Sequence, residues 1–133
     1  MHPGGPFYKN KDDGFWSIPK GEFLDEDPLI TAKREFEEET SIQINGDFIP
    51  LTAVRLKSGK TVYAWAIQFD FDERIVHSNI FQLEWPPRSG KMQEFPEVDK
   101  GQWFHYSKAR QKIAAAQVLL LDEAISYIKA SLL

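Results

Sequence analysis

Between Arg34 and Glu39 the chain places five charged side chains in six positions, within the stretch KREFEEETSI from Lys33 to Ile42. Four of them are glutamates: Glu35, Glu37, Glu38 and Glu39. Upstream, Asp27 supplies an N-cap and Pro28 a first helical position, so the stretch is predicted to lie on a helix from Pro28 to about Thr40. At about 100° per residue, Glu38, Glu35 and Glu39 fall within about 140° of Arg34. Leu29, Ala32, Phe36 and Thr40 form a separate stripe between roughly 160° and 240°. Glu37, near 300° on the same count, faces water.

An acidic, solvated helix face is the plain explanation of most charged runs. Here it meets an energetic objection. Glu35 and Glu39 are a like-charged i,i+4 pair, which destabilises a bare helix by about 0.2–0.5 kcal/mol. Repulsion between neighbouring carboxylates grows from about 1 kcal/mol in water to about 4 kcal/mol at an effective dielectric near 20. Such crowding works against stability but suits a hard divalent cation, which takes carboxylate oxygens and bridges to substrate phosphates. A bound cation cancels the repulsion and lowers the pKa of a coordinated water. Arg34, one turn before Glu38, can hold a carboxylate through two parallel hydrogen bonds and fix its direction.

The elements that must hold this helix are those of a mixed α/β domain. Residues 1–14 read as loop, punctuated by Pro3, Gly4, Gly5, Pro6 and Gly14. GFWSIP is a strand candidate that Pro19 ends, and KGEFLDED connects it to the helix. FIPLTAVRL and TVYAWAIQFDF read as two strands turning at Ser58-Gly59. Residues 73–97, broken by Pro86-Pro87, Gly90 and Pro96, read as mostly irregular, and GQWFHY as a further short strand. Ser107 is predicted to cap a helix to Lys112, and Ala114 to Leu132 to form a longer one.

Length and composition limit the function classes. At 133 residues, with 42% hydrophobic and 14% aromatic residues, the chain is read as one domain, 1–133, with a core of its own. It has no cysteine, so disulfides and thiolate metal sites are excluded, and a reducing, cytoplasmic setting fits. No stretch resembles a secretory leader or approaches the roughly 18 apolar residues of a membrane span. A net charge of −4 argues against general nucleic-acid binding, which depends on phosphate neutralisation. A small phosphorylated molecule held by a few local bases remains compatible.

The stretch GEFLDEDPLITAKREFEEETSI, residues 21–42, resembles the Nudix box. Gly21 matches the opening glycine, Glu26 the first glutamate, Arg34-Glu35-Phe36 the central triplet, Glu38-Glu39 the metal-binding pair and Ile42 the closing aliphatic. Two positions depart: the loop from Gly21 to Glu26 is one residue short, and Ser41 stands for the second glycine, which bears on the geometry of the helix end. HPGGPFYKNKDDGFWSIPKGE, EWPPRSGKMQEFPEVDKGQWF and the C-terminal helix resemble a bacterial subgroup of predicted NTP pyrophosphohydrolases. The resemblance implies an α/β/α sandwich with a mixed β-sheet, lacking the usual N-terminal strand before HPGG, so that one sheet edge is left unpaired or covered from elsewhere.

The implied reaction is hydrolysis of a diphosphate linkage in a nucleotide-type small molecule, by water attack on phosphorus with Mg2+ or Mn2+. By resemblance Glu38 and Glu39 ligate metal and Gly21 offers its carbonyl. Glu35 ligates metal or acts as base, and Arg34 orients it. A further ligand outside the box is expected several residues before a Trp; Glu97, six before Trp103, fills that role, with Glu94 in reserve. Lys20 is placed to meet a phosphate. Trp16 could stack on substrate, although core packing is the weightier reading for an aromatic in a strand. The terminal helix offers a core or homodimer face. The alternative to a hydrolase is a Nudix-like module that binds a nucleotide without cleaving it, and intact box carboxylates speak against that.

Overall fold

A computed structural model describes residues 1–23 and 25–131 of the chain. The glutamate-rich stretch forms α1 (Pro28–Thr40), as its start signals dictate. The Asp27 carboxylate accepts from the Leu29 and Ile30 N–H groups at 2.9 and 3.2 Å, and Pro28 has no N–H to satisfy. Phe36 and Thr40 are buried on the expected stripe, and Thr31 is buried too although it lies near 60°, on the charged side of the wheel. At the far end Ser41 takes the left-handed conformation that glycine would adopt, with φ 64°. The strain, about 1–2 kcal/mol for a non-glycine residue, is offset by the Ser41 hydroxyl, which donates to the His77 carbonyl. Asp27→Ala should cost about 1 kcal/mol of stability, read as a lower midpoint in urea at unchanged m.

β1 (His2–Pro3) lies antiparallel to β8 (Val98–Lys100). β2 (Ile49–Pro50) pairs with β5 (Trp65–Ala66), and β3 (Val54–Arg55) with β4 (Thr61–Val62). The two long strands expected at 48–56 and 61–71 are therefore two interrupted arms of one hairpin, turned at Gly59 as Ser58-Gly59 predicts. Pro50, which cannot donate to a ladder, stands where the first arm breaks. Among the described residues the paired strands form four two-stranded antiparallel sheets.

Several expectations are corrected. Residues 73–97 are not mostly irregular: β6 (Ile80–Glu84) and β7 (Met92–Pro96) form the longest ladder, from Ile80 opposite Pro96 to Glu84 opposite Met92. Phe81 and Leu83 turn inward while Ile80, Gln82 and Glu84 are exposed, the alternation of a half-buried strand; Pro86, Pro87 and Gly90 punctuate its turn, not its arms. GQWFHY is not a strand. The pairing lies just before it, at Val98–Lys100, because that segment has β1 as a partner.

GFWSIP likewise contributes only one parallel bridge, Trp16 to Ile113. Trp16 N–H donates to the Lys112 carbonyl at 3.1 Å, and Ala114 N–H to the Trp16 carbonyl at 2.8 Å. These bonds tie the start of the chain to the end of α2 (Tyr106–Lys112), which begins one residue before Ser107 with His105 at its N-cap. After a 3-10 turn at Ala115–Gln117, α3 runs over Val118–Ser131; the Leu132 end of the predicted helix lies outside the described residues. Asp122 holds α3 to α2 by accepting from the Tyr106 hydroxyl and the Arg110 guanidinium. Among the described residues the buried apolar side chains are Trp16, Phe36, Ile44, Ala64, Val98 and Leu120. No helix among the described residues is long and apolar enough to cross a membrane.

Candidate active site

Glu35 rises from α1 directly against the loop that leads into it. A Cβ at Gly21 would lie 2.1 Å from the Glu35 Cδ, so only glycine allows the loop to pass this close to the carboxylate. Arg34 Nη1 sits 3.4 Å from Glu35 Oε1 and 3.3 Å from Glu38 Oε1, while its Nη2 donates to Glu26. Glu39 turns to the other side of the loop, where its Oε2 accepts the Lys20 N–H at 3.2 Å. Glu35 and Glu39 thus meet the Lys20-Gly21 loop, Arg34 ties Glu35 to Glu38 and Glu26, and Glu37 is exposed as expected.

Glu97 reaches the same region from the far end of β7. The clip 77–79 places it: His77 N–H donates to the Thr40 carbonyl at 3.1 Å and Asn79 N–H to the Glu38 carbonyl at 3.0 Å. These are two of the carbonyls that the end of a helix leaves without partners. On the clip's other side Glu97 N–H donates to the Asn79 carbonyl at 2.9 Å, and Val98 N–H to the Ser78 hydroxyl at 3.0 Å. The helix end and Glu97 are therefore held by one short segment. Glu94 instead lies within the β6–β7 ladder, opposite Gln82.

Electrostatics reflect this crowding. Burial raises the pKa of Glu35, and the charges of Glu38 and Glu97 add to that, against the opposing pull of Arg34. Glu39 is pushed up to about 7, mainly by burial, with the Lys20 N–H opposing and Glu35 adding repulsion. The Arg34 guanidinium holds Glu26 below the usual carboxylate range.

A carboxylate with a raised folded pKa lowers stability as pH rises, because the unfolded chain ionises first. Its contribution is full below about 4.5 and lost as pH climbs to about 7. In chelator, Glu39→Gln should therefore be more stable than the parent above pH 7, by about 1–2 kcal/mol after allowance for partial exposure. The two should have equal stability near pH 4.5. Urea midpoints at both pH values check this, and equal midpoints at pH 8 would refute it.

The donor set fits a hard cation: Glu35, Glu38, Glu39 and Glu97 offer only oxygens, and the mutual repulsion felt at Glu35 is what a cation would relieve. No three acidic or histidine side chains among the described residues surround a common point. Glu38 is turned to Arg34 and Glu39 to the Lys20 N–H. Lys20 is exposed beside the carboxylates. Trp16 is 5% exposed, with its indole N–H donated to Asp12 at 2.8 Å, so packing dominates its environment.

The role of Glu26 as the clamp on Arg34 is a feature that helical spacing could not supply, because Glu26 precedes the helix. Neither could His77 and Asn79 be found in this way, since both act through backbone groups.

An α/β domain carries here a loop and a helix that packs a carboxylate, Glu35, on a glycine, Gly21. A NUDIX domain profile matches residues 5–123, and the chain belongs to the Nudix family, whose pyrophosphohydrolases act on nucleoside diphosphate derivatives. No curated protein and no solved structure matches it.

Proposed function

We propose that the protein is a metal-dependent hydrolase that cleaves a diphosphate linkage in a nucleoside polyphosphate or related nucleoside diphosphate, by water attack on phosphorus. The carrying observation is the Glu35 carboxylate, packed on Gly21, bonded to Arg34 and repelled by both Glu38 and Glu97. Glu35, Glu38, Glu39 and Glu97, with the Gly21 carbonyl, would hold Mg2+ or Mn2+. When bound, that ion activates water and neutralises charge on the phosphates. Arg34 fixes the direction of Glu35 and Glu38 while Glu26 anchors the far side of its guanidinium. Lys20, exposed at the loop, meets a phosphate oxygen. This reading includes one domain with the sandwich architecture of the family, a place in the bacterial NTP pyrophosphohydrolase subgroup and a cytoplasmic setting.

A panel of nucleoside and dinucleoside polyphosphates with and without Mg2+, using Glu38→Gln as blank, tests the proposal. Release from at least one substrate that needs the metal and disappears in the blank supports it. Silence across the panel in folded protein would sink it in favour of a nucleotide-binding module.

A further inference from the structure

Trp103 is an exposed aromatic that is nonetheless fixed in place. The residue is 52% accessible, yet its indole N–H donates to the Phe71 carbonyl at 3.1 Å. One part of the ring packs on Phe71, with centroids 5.1 Å apart, and Phe71 meets Phe36 of α1 edge-on at 5.8 Å. Two ring contacts thus link Trp103 to the helix that carries Glu35. The remaining indole surface faces an open pocket of about 500 Å3 lined by Gln68, Phe69, Asp70 and Trp103. An apolar surface held rigid before any ligand arrives loses little entropy on binding, which suits it to stack a planar ring.

The polar lining narrows the ligand. Gln68 and Asp70 are exposed, and neither side chain has a hydrogen bond or ion pair among the described residues. No cation among the described residues lines the pocket, so the Asp70 charge repels phosphate and leaves the base as the part of a nucleotide that fits. A carboxylate offers acceptors only, whereas an amide offers both a donor and an acceptor. Guanine presents adjacent N–H donors at N1 and N2 beside the O6 acceptor, which matches Asp70 and Gln68 in turn. Adenine sets an acceptor at N1, where a carboxylate oxygen would meet it lone pair to lone pair.

We propose that Trp103, Asp70 and Gln68 form a base-recognition subsite that selects a guanine-type purine; this rests on the reading of the chain as a nucleotide hydrolase. GMP has no diphosphate bond, so its binding in chelator, followed by indole fluorescence, tests the subsite apart from the reaction. GMP is expected to bind at least tenfold more tightly than AMP, and Trp103→Ala to lose about tenfold in GMP affinity. Asp70→Asn, an isosteric change on the surface, should reduce the GMP-to-AMP preference about tenfold and decides the matter should Trp103→Ala fail to fold. The proposal is overturned by no response to GMP at millimolar concentration, or by a base preference that Asp70→Asn leaves unchanged. Hydrolysis that survives with its base preference unmoved by Asp70→Asn sinks this subsite alone. GMP binding at Trp103 without hydrolysis of any nucleotide would sink the hydrolase alone.

Discussion

Glu38→Gln is expected to lower turnover by a factor of about 10^2 to 10^4 at saturating Mg2+ while stability changes by less than about 0.5 kcal/mol. The two effects separate because Glu38 contributes little to the fold. Its bond to Arg34 is an exposed i,i+4 contact at 3.3 Å, of a kind worth about 0.3–0.5 kcal/mol. The substitution also removes one of the charges that repel Glu35. In the proposed reaction its loss is large, since a neutral amide neither neutralises a divalent ion nor holds Arg34 by a charged hydrogen bond. Glu37→Gln is the comparison. That side chain is exposed away from the loop, reaching only the Gln43 amide at 3.5 Å, and its substitution should leave turnover within about twofold. Steady-state rates of the three proteins, with urea midpoints measured in parallel, check the contrast. A Glu38→Gln protein that keeps a tenth or more of parental turnover would remove Glu38 from the metal set.

What the sequence made legible was local. The helix Pro28–Thr40, its Asp27 cap and its division into a charged and an apolar stripe follow from spacing alone, because each depends on residues within one or two turns. The convergence of Arg34, Glu35 and Glu38 was legible for the same reason. Glu97 could be named only through resemblance, since its approach depends on the 77–79 clip, in which backbone atoms make the contacts with both helix and strand. The β6–β7 hairpin is masked in the sequence by Pro86, Pro87 and Gly90, which break the pattern at its turn, although Ile80–Glu84 carries the period of a half-buried strand. GFWSIP and GQWFHY have strand-forming composition without strand partners. Composition gives a tendency to be extended, and only tertiary pairing turns that tendency into a ladder.

Gly4→Ala should be among the most destabilising single-atom additions available in this chain, costing about 3 kcal/mol or more. A Cβ at Gly4 would lie 1.8 Å from the Pro96 carbonyl oxygen and 2.8 Å from its carbon. Those are backbone atoms at the end of β7, not the tip of a side chain that could swing away. The Gly4 N–H also donates to the Glu97 carbonyl at 2.9 Å, so any shift that relieves the clash loosens that bond and moves the residue next to it. The expected defect is therefore double: a lower urea midpoint and, in the protein that remains folded, slower turnover through displacement of Glu97. Gly14→Ala isolates the alternative cause. At Gly14 φ is +82° and a Cβ meets nothing within 4 Å, so alanine there bears only conformational strain, about 1 kcal/mol. Crowding, not backbone freedom, is what demands glycine at position 4, and the two variants should differ by about 2 kcal/mol with only Gly4→Ala slowed in turnover. Equal midpoints for the two would mean that β1 and β7 do not approach one another this closely.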